Sequence, residues 1–400
     1  MNTFRPFGVQ LAKRNRPVLV SIFHPDGNLP YNPNLSALVT FLVEDGFIVE
    51  YLHNPNKESP RGRCPSVRAR KISFLLKKYT ALGRKFSWLP SFFFKLLSFL
   101  ARIQRPSLVI GVDREGIILA SGYAAICQSP LAMISYEIYF ASETGRDFKS
   151  YEITACSNLS FAVCQDSVRS SLLSSENLIP LSKIIDIPVS PASKELPSTY
   201  PHLSLRESLG ISQEYIALYS GSIARWAMME ELLDTLSSWP ANWALVLHGR
   251  YRLDSSINLV HSLRRSNVYT TNGLVLDEGS FVSIIRSVDL GLAFYQPTYE
   301  SCSTGENIKS IGLSSGKISY YLSQSLPVYI NKTGEISELV SSYNAGIVNS
   351  VENIASVLSS LDPTTLLTMK SSAYRLFSDK LNADLYRNLF LSTVRNALDS

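Results

Sequence analysis

Short apolar runs that alternate with longer amphipathic segments constrain the fold of this chain more than any other feature. The apolar runs Pro17–Phe23 and Phe47–Tyr51 flank the amphipathic segment Pro33–Glu44, and the alternation continues through Ser107–Val112 and Leu131–Ser135. Short apolar runs predict buried strands, and strands that alternate with helices predict a mostly parallel sheet covered by helices.

A proline-rich stretch interrupts this alternation once. Between Pro188 and Pro201, four prolines stand among Ser and Thr with no apolar period, which is typical of a linker. After it, strand-like and helix-like segments alternate again, beginning with Tyr215–Tyr219. The sequence therefore predicts an α/β protein of two Rossmann-like, doubly wound domains that face a cleft.

The linker sets the predicted domain boundary near Pro191. Residues 1–190 are expected to form an N-terminal Rossmann-like domain, and residues 191–380 a C-terminal Rossmann-like domain. The last residues, 381–400, repeat apolar side chains at three- and four-residue spacing and predict a helix. We expect this helix to pack back towards the N-terminal domain.

Basic residues are concentrated in one part of the chain. Between Ser59 and Val112 there are twelve Lys and Arg and no Asp or Glu, although the whole chain carries only +5. A long basic helix is predicted from about Ser66 to Arg102, and its aromatic stretch Phe86–Ala101 suits a membrane interface or a buried helix. We expect residues 61–105 to contact an anionic membrane surface.

Other features limit the compartment and the chemistry. No apolar run reaches the length of about 18 residues that spans a bilayer, and the N-terminus has no signal-peptide pattern. The five cysteines are scattered without metal-ligand spacing, which favours reduced thiols in a cytoplasmic protein. We expect a cytoplasmic chain with peripheral contact to the inner face of the membrane, no metal and no cofactor.

Small polar turns follow three strands of the second half. These are Ser220-Gly221-Ser222, Gly249-Arg250 and Asn272-Gly273. Ligands of α/β sheets bind beyond the carboxyl ends of the strands, and glycine there allows a close approach to the backbone. The three turns together favour ligand binding over plain turn formation.

A Ser-Ser-Gly-Lys turn, Ser314 to Lys317, is the strongest local feature. It opens a predicted helix and places a lysine in the first turn, where a cation opposes the helix dipole. A docked phosphate would resolve that conflict. Arg225 begins another helix after the glycine turn at Gly221, so Arg225 and Lys317 are predicted to clamp a diphosphate and stabilise it as a leaving group.

These motifs resemble those of the GT-B glycosyltransferases. The order Tyr219–Ser222, Leu245–Gly249, Asp289–Tyr295, Gly316-Lys317 with Leu326–Val328, and Glu338–Val340 is similar to their C-terminal domain over residues 215–354. The segment from Cys164 to Pro188 is similar to the end of their N-terminal domain. The resemblance implies a metal-independent transferase with the nucleotide-sugar on the C-terminal domain and the acceptor on the N-terminal domain.

The sequence departs from the family at one position of interest. Many retaining relatives carry a Glu three residues after the helix-opening Lys, where it binds the donor ribose, and Tyr320 stands there in this chain. Tyr320 is interpreted either as a nucleotide contact or as a core aromatic. The candidate donor-binding residues are Gly221, Ser222, Arg225, Gly249, Arg250, Asn272, Ser314, Ser315, Gly316, Lys317 and Tyr320.

Three residues after predicted strands of the N-terminal half are candidate catalytic bases. These are Asp113, Glu137 and His24, and each could instead cap a helix or form a turn. The predicted function is transfer of a sugar from a nucleotide-diphosphate-sugar to a lipid-linked or polysaccharide acceptor. The alternatives are a GT-B-like enzyme of other chemistry, such as a sugar epimerase, and a nucleic-acid-binding protein that uses residues 61–105; we expect no nucleic-acid partner.

Overall fold

The computed structural model describes residues 18–27, 29, 32–53, 67–71, 105–193, 205–249, 267–271 and 278–399. Two parallel β-sheets form its framework, and each is flanked by helices. The first sheet has seven strands in the order β3-β2-β1-β4-β5-β6-β7, and the second has six in the order β10-β9-β8-β11-β12-β13. The prediction of an α/β protein with two doubly wound sheets is confirmed.

The strands of the first sheet contain the apolar runs of the N-terminal half. β1 and β4 are buried along their whole length and pair in parallel at the centre of the sheet, with Ile22 opposite Ile110. The bounds are β1 Leu19–Phe23, β2 Ile48–His53, β3 Val67–Lys71, β4 Leu108–Val112, β5 Leu131–Ile134, β6 Leu159–Cys164 and β7 Ile184–Asp186.

Helices connect these strands within the described part of the chain. Helix α1 begins at Pro33 because the side chain of Asn32 accepts a hydrogen bond from Leu35 N, at 3.0 Å, and proline suits the first helical position. The bounds are α1 Pro33–Glu44, α2 Asp113–Cys127, α3 Ala141–Thr144, α4 Arg146–Cys156 and α5 Ser167–Asn177.

The second sheet is built from the apolar runs after the linker. Its central strand β8 pairs with β9 on one side and β11 on the other. The bounds are β8 Tyr215–Ser220, β9 Trp243–His248, β10 Val268–Thr270, β11 Leu290–Ala293, β12 Val328–Ile330 and β13 Gly346–Val348.

The helices that follow the first domain in the chain are mostly short. The bounds are α6 Leu205–Leu209, α7 Met229–Thr235, α8 Glu278–Arg286, α9 Glu306–Lys309, α10 Gly316–Ser323, α11 Glu335–Tyr343, α12 Ile354–Ser360, α13 Pro363–Leu376 and α14 Arg387–Asp399. Within the described ranges, no helix is long and apolar enough to cross a membrane.

Helix α14 packs against the first sheet's side of the molecule. Phe390, Leu391 and Val394 join the hydrophobic core that contains β1 and α1. Arg395 adds an ion pair with Asp45, at 2.6 Å, just beyond the end of α1. The chain therefore passes from the first sheet to the second and then returns.

Two predicted elements differ from the structure. The basic helix expected from Ser66 is wrong at its start, because Val67–Lys71 forms β3, paired in parallel with β2. An edge strand gains backbone hydrogen bonds on one side and tolerates charged residues. The helix expected over Trp226–Ser237 is broken into 3₁₀ turns on either side of α7. The rest of the basic helix, with Phe86–Ala101, lies outside the described residues.

Candidate active site

The Ser314–Lys317 turn leads into α10 at the carboxyl edge of the second sheet. Ser315 is buried, and its Oγ lies 2.5 Å from Tyr295 Oη. Ser314 Oγ donates to Ile311 O at 2.6 Å. Both hydroxyls thus hold the shape of the turn, and among the described residues no side chain caps the first turn of the helix that Gly316 opens.

Lys317 extends from this turn across the ends of the neighbouring strands. Its Nζ lies 3.4 Å from Tyr219 Oη, 4.4 Å from the centre of the Tyr219 ring and 5.4 Å from that of Tyr295. No carboxylate of the described residues forms an ion pair with it. Burial without a counter-charge lowers the pKa of Lys317 to about 7. An arriving anion would restore the charged form.

The glycine turn after β8 lies directly beside this lysine. Gly221 has a φ of +129°, and a methyl group built on it would be 3.2 Å from Lys317 Nζ. Its N–H donates to His248 O at 2.9 Å, while Ser222 is exposed and its carbonyl accepts from Tyr219 Oη at 2.8 Å. The structure thus brings together the two turns that the sequence singled out.

Other predicted donor residues lie in different surroundings. Arg225 is 67% exposed, and its guanidinium donates to Glu300 at 2.8 Å. Gly249 directly follows β9, whereas Arg250 and Asn272 lie outside the described residues. Tyr320 is buried in the core, edge-on to Phe281, which favours the core interpretation of this side chain.

Sequence reasoning missed the tyrosines that surround Lys317. Tyr219 and Tyr295 flank Lys317 from β8 and from the residues after β11, and Tyr321 Oη accepts from Ser220 N at 2.9 Å beneath the glycine turn. Gly291 leaves room for the Tyr321 ring. The one available signal is that Tyr219 and Tyr295 each stand at the end of an apolar run.

Asp113 and Glu137 meet at the carboxyl edge of the first sheet. Asp113 begins α2 with a φ of +54°, a costly conformation outside glycine. Its Oδ1 accepts from Tyr136 N at 2.6 Å and from Glu137 N at 2.9 Å. Burial raises the pKa of Asp113 to about 8, and the charge of nearby Glu137 adds to the shift.

Glu137 presents a carboxylate that is partly exposed and free of hydrogen bonds from the described residues. Burial raises its pKa to about 7, against an opposing effect of Arg169. A carboxyl group with a pKa near neutrality is suited to proton transfer. His24, the third candidate, is 2% exposed, and its Nδ1 lies 2.7 Å from Tyr51 Oη.

The two sheets' domains touch through buried polar groups. Asp166 Oδ2 accepts from Leu313 N at 3.0 Å, and Val189 N donates to Leu313 O at 3.0 Å. Gly312 permits this approach, because a methyl group there would lie 2.4 Å from Asp166. The segment that leads into the Ser314–Lys317 turn is therefore fixed directly to the first domain.

Comparison with known proteins agrees with this fold. Residues 266–393 match the family of glucosyltransferase 3-like C-terminal domains. The structure of Anabaena HepE in complex with UDP-glucose superposes with a TM-score of 0.72 at 11% identity, covering 94% of this chain and 99% of that one. No curated protein matches the sequence.

Two further solved structures share the whole fold. A glycosyltransferase from Rickettsia africae has a TM-score of 0.69 at 11% identity, covering 96% of this chain and 99% of its own. Sucrose-phosphate synthase from Thermosynechococcus elongatus has a TM-score of 0.66 at 13% identity, covering 95% and 98%.

The fold and the family match define the class of the protein. The predicted resemblance to GT-B glycosyltransferases is confirmed, and with it the prediction of an enzyme: the chain is a glycosyltransferase of GT-B fold.

Proposed function

We propose that this enzyme transfers a sugar from a UDP-sugar to a hydroxyl group of an acceptor. The choice of UDP is supported by HepE, which has the same fold and was solved with UDP-glucose. The donor would lie on the second domain with its diphosphate between the Ser314–Lys317 turn and the Gly221 turn. The acceptor would lie on the first domain, near Asp113 and Glu137.

Lys317 is the observation that carries the proposal. Lys317 is half-buried at the start of a helix, so both its partial desolvation and the helix dipole oppose its positive charge. A diphosphate supplies the missing counter-charge, and it gains negative charge as the sugar leaves. Arg225 would leave its ion pair with Glu300 and bind the same diphosphate. We propose that these two cations, without a metal or a cofactor, stabilise the departing nucleotide.

Glu137 is proposed as the general base for the acceptor hydroxyl. Asp113 holds the backbone at Glu137 through two hydrogen bonds, so the free carboxylate of Glu137 can face a substrate. Since the pKa of Asp113 is raised to about 8, Asp113 is mostly protonated at neutral pH and makes a poorer base. His24, which is buried against Tyr51, is assigned a structural role.

The acceptor is proposed to be a lipid-linked sugar or a polysaccharide at the inner face of the membrane. The argument is the basic sequence of residues 61–105, nearly all of which lies outside the described residues. Replacing Lys77, Lys78, Arg84 and Lys85 with Gln should reduce binding to anionic liposomes and leave nucleotide binding intact. Unchanged liposome binding would remove the membrane part of the proposal.

A thermal-shift screen against UDP-, GDP-, CMP- and dTDP-sugars tests the donor assignment. We expect stabilisation by UDP-sugars that is lost in Lys317→Ala and kept in Lys380→Ala, an exposed lysine of the same domain. Release of UDP and free or transferred sugar would agree with a transferase, whereas an epimerised nucleotide-sugar would favour the epimerase alternative. No shift with any donor would refute the proposal.

A further inference from the structure

The loop that carries Glu137 is held on both sides by residues that do not belong to it. On the N-terminal side, Arg169 Nη2 donates to Tyr136 O at 2.7 Å. On the C-terminal side, Asn307 makes two bonds to one backbone unit: Ile138 N donates to its Oδ1 at 2.9 Å, and its Nδ2 donates to Ile138 O at 2.5 Å. The residues directly before and after Glu137 are therefore fixed, while no other described residue donates a hydrogen bond to its carboxylate.

Asn307 makes these bonds from the opposite domain. It lies on α9, a few residues before the Ser314–Lys317 turn, and is 1% exposed. Arg169 lies on α5 of the first domain, is also 1% exposed, and donates to Asn307 Oδ1 at 3.3 Å and Ser310 O at 3.2 Å. One buried network thus joins the Glu137 loop to the segment that leads into the Ser314–Lys317 turn.

We propose that Asn307 and Arg169 are positioning residues that fix the Glu137 carboxylate relative to the donor site. The inference rests on the proposed function, in which Glu137 takes the proton of the acceptor. Hydrogen bonds buried in this way are costly to leave unpaired, so the network favours a single arrangement of the loop. A base displaced by about 1 Å loses on the order of 100-fold in rate.

Asn307→Ala removes both hydrogen bonds to Ile138 and changes no residue of the Ser314–Lys317 turn. We expect the rate of UDP release from UDP-glucose to fall about 10- to 100-fold, with the Kd for UDP-glucose changed by less than about twofold. Asn382→Ala is the matched control, since Asn382 also bridges two chain segments, by accepting from Ser193 N at 3.2 Å, far from Glu137 in the sequence. The control should keep the wild-type rate.

Arg169 allows a second test, because its substitution should change the pH profile of the rate, which a purely structural residue would not do. The positive charge of Arg169 lowers the pKa of Glu137, the negative charge of Asp26 raises it, and the Asp113 carboxyl group accepts a hydrogen bond from Glu137 N. Arg169→Gln should shift the acidic limb of the rate profile to higher pH, and Arg169→Lys should restore it. Asn307→Ala, which keeps the charge, should lower the rate without moving that limb.

The results separate this inference from the proposed function. A slow Glu137→Gln variant beside an Asn307→Ala variant of wild-type rate would overturn the inference alone. An Asn307→Ala variant that loses affinity for UDP-glucose as much as rate would overturn it too, because the network would then support the domains in general. A Glu137→Gln variant as fast as wild type would overturn the role of Glu137 and the inference together.

Discussion

The carboxyl edges of the two sheets have the same architecture and opposite chemistry. At the first edge, Asp113 and Glu137 are carboxyl groups whose pKa values burial raises to about 8 and about 7. At the second edge, Lys317 is an amine whose pKa burial lowers to about 7. The same fold, used twice, thus brings carboxyl groups at one edge and an amine at the other to pKa values near neutrality.

The largest effects should come from Glu137→Gln and Lys317→Ala, which distinguish the proposed role of the first edge in the reaction rate from that of the second edge in donor binding. We expect Glu137→Gln to slow UDP release from UDP-glucose by about 100-fold or more, since general bases contribute about 10²–10⁴-fold. Its Kd for UDP-glucose should stay unchanged, whereas Lys317→Ala should lose binding itself. Steady-state kinetics with calorimetric titration measure both quantities. If each variant lost rate and affinity equally, the division between the edges would be wrong.

The pH dependence of donor binding should report Lys317. Burial lowers the pKa of Lys317 to about 7, and a diphosphate bound beside it would raise that pKa again. Binding therefore takes up a proton above pH 7, and the affinity for UDP-glucose should fall as pH rises, by at most about tenfold per unit. Titration calorimetry in buffers of different ionisation enthalpy measures the uptake. Equal proton uptake by Lys317→Ala would assign it to another group.

Gly221→Ala probes the contact between the two donor-side turns. The added methyl group would lie 3.2 Å from Lys317 Nζ, at a φ of +129° that costs an alanine on the order of 1 kcal/mol. We expect an affinity for UDP-glucose reduced about fivefold as Nζ moves aside. Gly210→Ala, at a φ of +64° in open space, should destabilise the protein without this loss of affinity. Equal affinity in both variants would argue against a close approach of the donor to Gly221.

Asp113→Asn should have the smallest effect of these variants, and that effect should be on the pH dependence of stability. Because the folded-state pKa of Asp113 is about 8 and lies above the usual 3.8, the native state binds the extra proton between these values. Stability therefore falls as pH rises from about 4 to about 8. Asparagine can still accept the two backbone bonds, so the variant should lose less Tm between pH 5 and pH 8, by a few degrees. The exposed Asp147→Asn is the control, and identical slopes in all three proteins would contradict the assignment.

Much of the fold could be predicted from the sequence, because its strands are apolar runs and its helix ends carry local signals. The predicted helix Pro33–Glu44 has those bounds in the structure, owing to the Asn32 cap and the proline after it. Helices α3 and α4 were missed, since the latter presents few apolar side chains to the core. β3 was missed because its charges match an edge strand only when the neighbouring strand is known.

The site was predictable only where its residues are neighbours in the chain. The Ser314–Lys317 turn can be recognised from its local sequence. Tyr219, however, contacts Lys317 from a strand almost a hundred residues earlier. Tyr320 and Tyr321 stand one position apart on α10, so a rotation of about 100° decides which one supports the glycine turn. Asn307 and Ile138 are 169 residues apart, and no spacing in the sequence connects them.

The return of α14 to the first domain has a consequence for synthesis on the ribosome. Phe390, Leu391 and Val394 complete a core whose other members begin at Val20. The first domain is therefore translated early yet finishes folding late, once residues up to Ala397 have emerged. Until then the part of this core beside α1 lacks its last members, so completing the first domain requires almost the whole chain.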